Sequence, residues 1–239
     1  SLAGRFIVTA GMGGMGGSQP LAGTLVGAAI MAVEVDTERI RRRIQAGYCQ
    51  HVTADLDEAL TLCHTAQQRR EALSVGLVGN AAEVYPELVR RGITPDVVTD
   101  QTSAHDALYG YVPAGLSVAE VEAMRRSDPD AVRRRALASI AAEVQAMLTF
   151  KERGAVVFDN GNNIRSQAHG QGVAAAFSID IFTARYLRPL FCRGIGPFRW
   201  LALTGEARDI GTIDQMVLDT FPHNELATNW ITLARRHVR

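Results

Sequence analysis

The stretch Gly11-Met12-Gly13-Gly14-Met15-Gly16-Gly17 decides the fold of this 239-residue chain because of what lies on either side of it. The apolar run Phe6-Ile7-Val8-Thr9-Ala10 precedes it and predicts a buried strand, while Gln19-Pro20-Leu21-Ala22 follows it and opens a predicted helix. The first, third and sixth residues of the stretch fit the pattern G-x-G-x-x-G, which binds a dinucleotide diphosphate at a helix start. On the motif alone, a plain tight turn stays open as the alternative.

An acidic residue at the end of the next predicted strand favours the dinucleotide interpretation. Glu34 follows Gly16 at about the 20-residue distance at which a carboxylate meets the adenosine ribose. A carboxylate there accepts hydrogen bonds from the ribose hydroxyls and repels a 2′-phosphate, which favours NAD over NADP. Asp36 is the other candidate, but its place just before Thr37-Glu38-Arg39-Ile40 is typical of a helix N-cap.

The composition is that of an ordinary globular protein, with 47% hydrophobic and 21% charged residues. Lys plus Arg and Asp plus Glu both number 25, and without a basic excess we expect no nucleic-acid partner. Arginine clusters at 41–43 and 133–135 are interpreted as solvated helix faces. Three scattered cysteines, no metal-ligand spacing, no signal peptide and no apolar run of bilayer length predict a cytoplasmic protein without a metal or a membrane partner.

Helical and strand patterns alternate along most of the chain, which predicts an α/β fold: a Rossmann-like parallel sheet flanked by helices. Three predicted strands are each followed by a polar cluster, at 79–82, 100–106 and 159–163. Because the carboxyl ends of parallel strands meet at one edge, we expect these clusters to share a cofactor pocket, although turn chemistry explains any one of them. His105 lies between Ser103 and Asp106, but no G-x-S-x-G elbow is present, and we interpret it as a polar contact to the cofactor.

The alternation ends near Tyr186, where glycine, proline, arginine and aromatic residues become dense. We place a domain boundary near residues 183–188, which predicts a dinucleotide-binding domain over residues 1–185 and part of a second, incomplete domain over residues 186–239. The second part is predicted to be mostly helical, with helical patterns at 212–221 and 225–237. The start without methionine and the end within or just after a helical pattern lead us to expect a piece of a longer protein.

Five strings in this sequence resemble the urocanase (urocanate hydratase) family, and together they run from about Arg5 to the last residue. They are Gly11–Gly17 with Gln19-Pro20-Leu21, Gly79-Asn80-Ala81-Ala82-Glu83, Asp100-Gln101-Thr102-Ser103-Ala104-His105-Asp106, Gly161-Asn162-Asn163-Ile164-Arg165, and the run from Arg188 to Trp200. The resemblance implies a hydro-lyase of histidine catabolism that adds water to urocanate to give imidazolone propionate. It implies a tightly held NAD⁺ that acts as an electrophile rather than as a hydride carrier, and a homodimer for the full-length enzyme.

The resemblance also implies the residues that contact the cofactor. They are Gly14, Met15, Gly16, Glu34, Arg39, Asn80, Ala81, Gln101, Thr102, Ser103, Ala104, His105, Tyr111 and Val112. Arg199 and, with less support, Arg193 are suited to hold the substrate carboxylate through a bidentate guanidinium.

Two departures from the family pattern change what we expect of this chain. Asn160 stands where the family has a tyrosine that touches the cofactor, which predicts weaker cofactor binding. The family's catalytic cysteine belongs to an Arg-Ile-Cys-Trp string that this sequence does not contain, and we therefore predict no catalytic residue in it. We expect the chain alone to bind dinucleotide weakly at best and to lack hydratase activity. Cys192 is at a different position and is interpreted as a buried structural thiol.

Two other functions stay open. An NAD-dependent dehydrogenase would need a catalytic His, Lys or Tyr near the nicotinamide and would form NADH during turnover. A non-catalytic dinucleotide-binding module would bind NAD without any chemistry.

Overall fold

The computed structural model describes residues 1–196 and 200–238, and the chain packs as two compact units, Ser1–Arg188 and Pro189–Arg239. The first unit contains one sheet of seven strands in the order β3-β4-β2-β1-β5-β6-β7, and every neighbouring pair is parallel. The strands are β1 (Phe6–Ala10), β2 (Ala29–Glu34), β3 (His51–Thr53), β4 (Leu73–Val78), β5 (Val97–Asp100), β6 (Val156–Asp159) and β7 (Asp180–Ile181). The predicted parallel sheet is therefore confirmed.

Helices connect the strands, as predicted, and continue into the second unit. They are α1 (Gln19–Leu25), α2 (Thr37–Gln45), α3 (Leu56–Arg69), α4 (Ala81–Arg90), α5 (Val118–Ser127), α6 (Pro129–Glu152), α7 (Ile164–Gly170), α8 (Arg188–Phe191), α9 (Ala207–Thr220) and α10 (Glu225–His237). Short 3₁₀ turns at Gly16–Ser18 and Ala176–Ser178 and a π-helical turn at Thr183–Leu187 complete the elements. Side-chain caps start several helices, including a full capping box between Ser117 and Glu120.

The middle of the sheet is the core of the first unit. All residues of β1 and β2 are buried, because helices cover both faces of a parallel sheet and its central strands read as continuous apolar runs. The register pairs Val8 with Met31 on one side and with Val98 on the other. Side chains of α4 and α6, among them Tyr85 and Phe150, pack edge to face over this core.

The strand order creates a crevice at the carboxyl end of β1. This strand lies between β2 and β5, and the chain builds the sheet outward from it in opposite directions. At such a switch point the loops that follow the two neighbouring strands separate, which leaves the crevice where open α/β sheets bind ligands. In this molecule the flanking loops are the glycine bend, residues 11–17, and the loop that begins at Gln101.

The second unit is small and largely helical, as predicted for this region. Within it, the Trp200 indole Nε1 donates to Asp214 Oδ1 at 3.1 Å, and Arg235 Nε lies 3.5 Å from Asp214 Oδ2. Among the described residues of this unit, Ile231 of α10 is the one hydrophobic residue whose side chain is buried. Cys192 is exposed, so its interpretation as a buried structural thiol is wrong. In the part of the chain that the structure describes, none of the helices has the length and apolarity needed to span a bilayer.

Candidate functional site

The glycine bend takes a shape that side chains would prevent. Gly11 has φ +82°, and a Cβ on it would lie 2.4 Å from the carbonyl oxygen of Gln101. A Cβ on Gly16 would lie 2.0 Å from the carbonyl oxygen of Gly11, so the bend closes against itself. By contrast, a Cβ on Gly14 would meet no heavy atom of the described residues within 4 Å. The two ends of the bend therefore require glycine for steric reasons, while its middle faces open space.

The backbone N–H groups in the middle of the bend are free. At its start, Gly11 donates to the carbonyl of Val33 at 2.8 Å, and at its end Gly17 donates to the carbonyl of Gly13 at 2.9 Å. Between them, the N–H groups of Gly13, Gly14 and Met15 find no hydrogen-bond acceptor among the residues that the structure describes. Such a row of unpaired amides at a helix start is an anion-binding feature.

Arg43 of α2 holds the bend from the other side. Its Nη2 donates to the carbonyl of Gly13 at 2.7 Å and its Nε donates to the carbonyl of Met12 at 3.2 Å. In a trans peptide the N–H points opposite to the C=O, so these contacts turn the N–H groups of Gly13 and Gly14 away from Arg43. Arg43 is half-buried, which corrects the interpretation of residues 41–43 as a solvated face; Arg41 and Arg42 are exposed.

Gly17 makes room for this arginine. A Cβ on Gly17 would lie 2.0 Å from Arg43 Nε, so the glycine after the G-x-G-x-x-G pattern is needed for a side chain from another helix. Sequence reasoning missed Arg43, because the contact joins residues about 30 positions apart and no local pattern marks it.

Glu34 ends β2 and faces the glycine bend. Its side chain is 3% exposed, its Oε2 accepts the N–H of Met12 at 2.7 Å, and its Oε1 accepts the N–H of Asp36 at 3.1 Å. Arg39 Nη1 lies 3.5 Å from Glu34 Oε1, and Arg39 Nε lies 3.5 Å from Asp36 Oδ2. Asp36 accepts the N–H of Glu38 at 2.9 Å, which confirms its predicted role as the N-cap of α2.

One end of the crevice surrounds Glu34. Asn80, at the N-cap of α4, donates its Nδ2 to the carbonyl of Val112 at 2.8 Å and accepts the N–H of Ala82 at 2.9 Å. These bonds fix the loop after β4 to the segment that carries Tyr111 and Val112. Predicted site residues on this wall are Glu34, Arg39, Asn80, Ala81, Thr102, Ser103, Tyr111 and Val112.

The other end of the crevice surrounds the middle of the glycine bend. Its cavity volume is about 320 Å³, at the lower limit of the range for small-molecule sites. Predicted site residues on this wall are Gly14, Met15, Gly16, Arg39, Gln101, Thr102, Ser103 and His105. Asn160 also lines it, and its Nδ2 donates to Thr99 Oγ1 at 2.9 Å. Arg39, Thr102 and Ser103 border both cavities, which therefore adjoin each other and together are named the cleft.

Two predicted site residues lie elsewhere in the structure. The methyl group of Ala104 is fully buried in the hydrophobic core, so only its backbone is available to a ligand. Arg193 lies in the second unit, exposed, in the turn that follows α8. Arg199 falls outside the described residues.

Beneath the cleft lies a buried polar cluster centred on Asp100, the last residue of β5. Asp100 Oδ2 accepts the N–H of Thr102 at 3.0 Å, and Asp100 Oδ1 accepts the Thr102 hydroxyl at 2.8 Å and the side-chain amide of Asn162. Glu143 of α6 accepts the Tyr111 hydroxyl on Oε2 at 2.7 Å. Burial raises the pKa of Asp100 to about 6, although its hydrogen bonds oppose the shift.

Burial and the neighbouring charge of Asp100 raise the pKa of Glu143 well above its ordinary value. Sequence reasoning missed Glu143, although a signal exists. It lies on the same helix face as the buried Ile140 and Met147, three residues after one and four before the other, and a lone acid on an apolar face marks a buried polar group.

In the described part of the chain, no group of three or more His, Cys, Asp and Glu side chains is placed to hold a metal ion.

Comparison with known families agrees with this geometry. A family model for the urocanase Rossmann-like domain matches residues 1–186, and a model for the urocanase C-terminal domain matches residues 189–239. The first match covers well over half of the chain and includes the sheet, the glycine bend and all residues that line the cleft. The chain therefore belongs to the urocanase family.

Proposed function

We propose that this chain is the NAD⁺-binding part of a urocanate hydratase, a hydro-lyase of histidine catabolism, and that the cofactor lies along the cleft. The observation that carries the proposal is the row of N–H groups at Gly13, Gly14 and Met15, which have no acceptor among the described residues and border one end of the cleft, while the buried carboxylate of Glu34 borders the other. The family membership supplies the reaction, and the cleft supplies a place for the dinucleotide.

The cofactor's diphosphate would lie against the glycine bend. Three amides without acceptors and the open space over Gly14 fit a doubly charged group that must approach the backbone closely. Arg43 orients these amides through the carbonyls of Met12 and Gly13. The guanidinium of Arg39, which borders both ends of the cleft, adds a positive charge near the same place.

The adenosine half would lie at the end of the cleft that holds Glu34. Each oxygen of the Glu34 carboxylate accepts one backbone N–H, and each keeps a second lone pair that a ribose hydroxyl can use. A 2′-phosphate placed there would be repelled by the same charge, so NAD⁺ is preferred over NADP⁺. Asn80 fixes the wall on which Tyr111 and Val112 lie.

The nicotinamide half would lie at the end bordered by Gln101, His105 and Asn160. When bound, NAD⁺ supplies an electron-poor ring that withdraws electron density from the imidazole of urocanate. This chain's residues hold the dinucleotide and limit its movement, and Arg193 and Arg199 would hold the substrate carboxylate. Asn160, whose amide donates to Thr99 Oγ1, has no aromatic ring that could stack on the nicotinamide, which favours weaker binding. A homodimer and a domain boundary near residues 183–188 belong to the same proposal.

Calorimetric titration of the 239-residue chain with NAD⁺ and NADP⁺ tests the proposal. We expect one NAD⁺ site and at least about tenfold weaker binding of NADP⁺, because two like charges would meet at Glu34. Glu34→Gln should reduce this preference, while Glu38→Gln, whose side chain is exposed on α2, should leave it unchanged. Because weak binding is expected of the chain alone, the titration extends to high ligand concentration; equal affinity for both dinucleotides, or no binding of either over that whole range, would contradict the proposal. Formation of NADH on addition of alcohols or hydroxy acids would favour a dehydrogenase instead.

A further inference from the structure

Two carboxyl groups lie against each other beneath the cleft, and neither forms an ion pair with a basic side chain among residues 1–196 and 200–238. Asp100 and Glu143 are each fully buried, and their carboxyl groups are within hydrogen-bonding distance of each other. The other titratable groups that act on the pair are the hydroxyls of Tyr85 and Tyr111, and burial raises the pKa of both well above its ordinary value. On the neighbouring strand, the charge of Asp159 is paired with Arg165. Two ionised carboxylates at this distance would repel strongly in a medium of low dielectric constant.

The hydrogen bonds indicate which carboxyl carries a proton. Asp100 already accepts three donors, two from Thr102 and one from Asn162, which is the pattern of an ionised carboxylate. Glu143 accepts one donor on Oε2, from Tyr111, while its buried Oε1 has no N–H or O–H donor among the described residues. A proton on Glu143 Oε1, directed at Asp100, gives this oxygen a partner and removes the repulsion.

The pair connects three segments that line the cleft. Thr102 belongs to the loop after β5, and Asn162, which donates to Asp100 and to the carbonyl of Thr102 at 3.0 Å, belongs to the loop after β6. Through Glu143 the network reaches Tyr111, in the segment that Asn80 holds on its other side. Thr102, Asn162 and Tyr111 all lie on the cleft wall.

We propose that Asp100 and Glu143 are positioning residues of the cleft, in which one shared proton, carried by Glu143 and donated to ionised Asp100, holds Thr102, Asn162 and Tyr111 in place for the dinucleotide. This inference rests on the proposed function for the identity of the ligand. Neither carboxyl contacts the cofactor in this account; both act through the residues that do.

Infrared spectroscopy of the full chain tests the shared proton without any ligand. At pH 8, above the pKa of Asp100 at about 6, we expect the C=O stretching band of one neutral carboxylic acid, shifted in D₂O. The band should disappear in Glu143→Gln and persist in Glu152→Gln, an exposed residue of the same helix. Absence of the band in the unmodified chain, or its persistence in Glu143→Gln, would overturn the proposal.

Amide hydrogen exchange and NAD⁺ titration test the positioning role. In Asp100→Asn the side-chain NH₂ faces N–H and O–H donors, so we expect the Thr102 amide to exchange at least about tenfold faster and NAD⁺ to bind about tenfold more weakly. Glu143→Gln can donate to Asp100 and accept from Tyr111, and both values should stay within about threefold of the unmodified chain. Asp130→Asn, at an exposed position of α6, is the matched control. Unchanged exchange and affinity in Asp100→Asn would refute the positioning role.

The two proposals fail in different ways. If none of the proteins binds NAD⁺, the proposed function is wrong, while the infrared band and Thr102 exchange still decide whether the pair shares a proton and holds the loop. If Asp100→Asn does not fold, Glu143→Leu is measured instead. This substitution removes the group that donates to Asp100 and fills the buried space with an apolar side chain. Faster Thr102 exchange in Glu143→Leu would then support the positioning role, and unchanged exchange would overturn it.

Discussion

The two loops that flank the crevice are stabilised in opposite ways. The glycine bend after β1 owes its shape to the absence of side chains at Gly11 and Gly16, and the side chains that bind its backbone, Arg43 and Glu34, come from other elements. The loop after β5 is held by side chains, with Asp100 at its base bonded to Thr102 and Asn162. The bend is therefore sensitive to atoms added at Gly11 or Gly16, whereas the loop is sensitive to protonation and to the removal of single polar groups.

The difference also shows in what each loop leaves free. The bend leaves the N–H groups of Gly13, Gly14 and Met15 without an acceptor among the described residues, and all three residues line the cleft. In the opposite loop Asp100 already accepts the backbone N–H of Thr102, so this amide is not available to a ligand, whereas the polar side chains of Gln101, Ser103 and His105 line the cleft. The bend thus offers backbone donors for an anion, and the loop after β5 offers polar side chains.

Gly16→Ala should destabilise the bend more than any other substitution considered. Its Cβ would lie 2.0 Å from the carbonyl oxygen of Gly11, and backbone atoms must shift to relieve the overlap. We expect the free energy of unfolding to fall by about 3 kcal/mol, measured by urea denaturation, together with loss of measurable NAD⁺ binding. Gly14→Ala is the matched control and should cost less than about 1 kcal/mol, because its Cβ meets open space. Equal losses in the two variants would show that the bend is not closed as described.

Removal of the Arg43 side chain should have an intermediate effect on the same bend. Arg43→Ala breaks two hydrogen bonds to the carbonyls of Met12 and Gly13, which should cost about 1–2 kcal/mol of stability and weaken NAD⁺ binding about tenfold. Arg42→Ala, at an exposed position on the same helix, should change neither value appreciably. Calorimetric titration with NAD⁺ measures the affinity of each variant. Equal affinities in the two variants would show that Arg43 does not orient the bend.

These two substitutions also mark the limit of what the sequence could predict. The strand, bend and helix at residues 6–25 are encoded by neighbouring residues, so glycine spacing and an apolar run were enough to predict them and the position of Glu34. Arg43 and Glu143 act across the fold, from positions about 30 and 40 residues away from their partners, and chain-local patterns carry little information about such contacts. The short strands β3 and β7 were missed for a related reason, because edge strands of three and two residues lack a clear periodicity.

The smallest predicted effect concerns pH and the loop after β5. The pKa of Asp100 is raised from 3.8 in the unfolded chain to about 6, so the folded state binds a proton more tightly. The resulting stabilisation is complete below pH 3.8, the pKa in the unfolded chain, and is lost as the pH rises through about 6. Between pH 7 and pH 5 this group should add about 1 kcal/mol on acidification. Urea denaturation at a series of pH values should show this rise in the free energy of unfolding in the unmodified chain and in Asp130→Asn, but not in Asp100→Asn. An identical pH dependence in all three proteins would contradict the predicted role of Asp100.

Amide chemical shifts measured by NMR test most directly whether the backbone amides of the glycine bend bind the diphosphate of the cofactor. Addition of NAD⁺ or ADP-ribose to the isotope-labelled chain should shift and protect the N–H groups of Gly13, Gly14 and Met15. Adenosine, which lacks phosphate, should leave these three signals in place. If NAD⁺ binds at saturating concentration while these amides neither shift nor gain protection, the diphosphate lies elsewhere and the account is wrong.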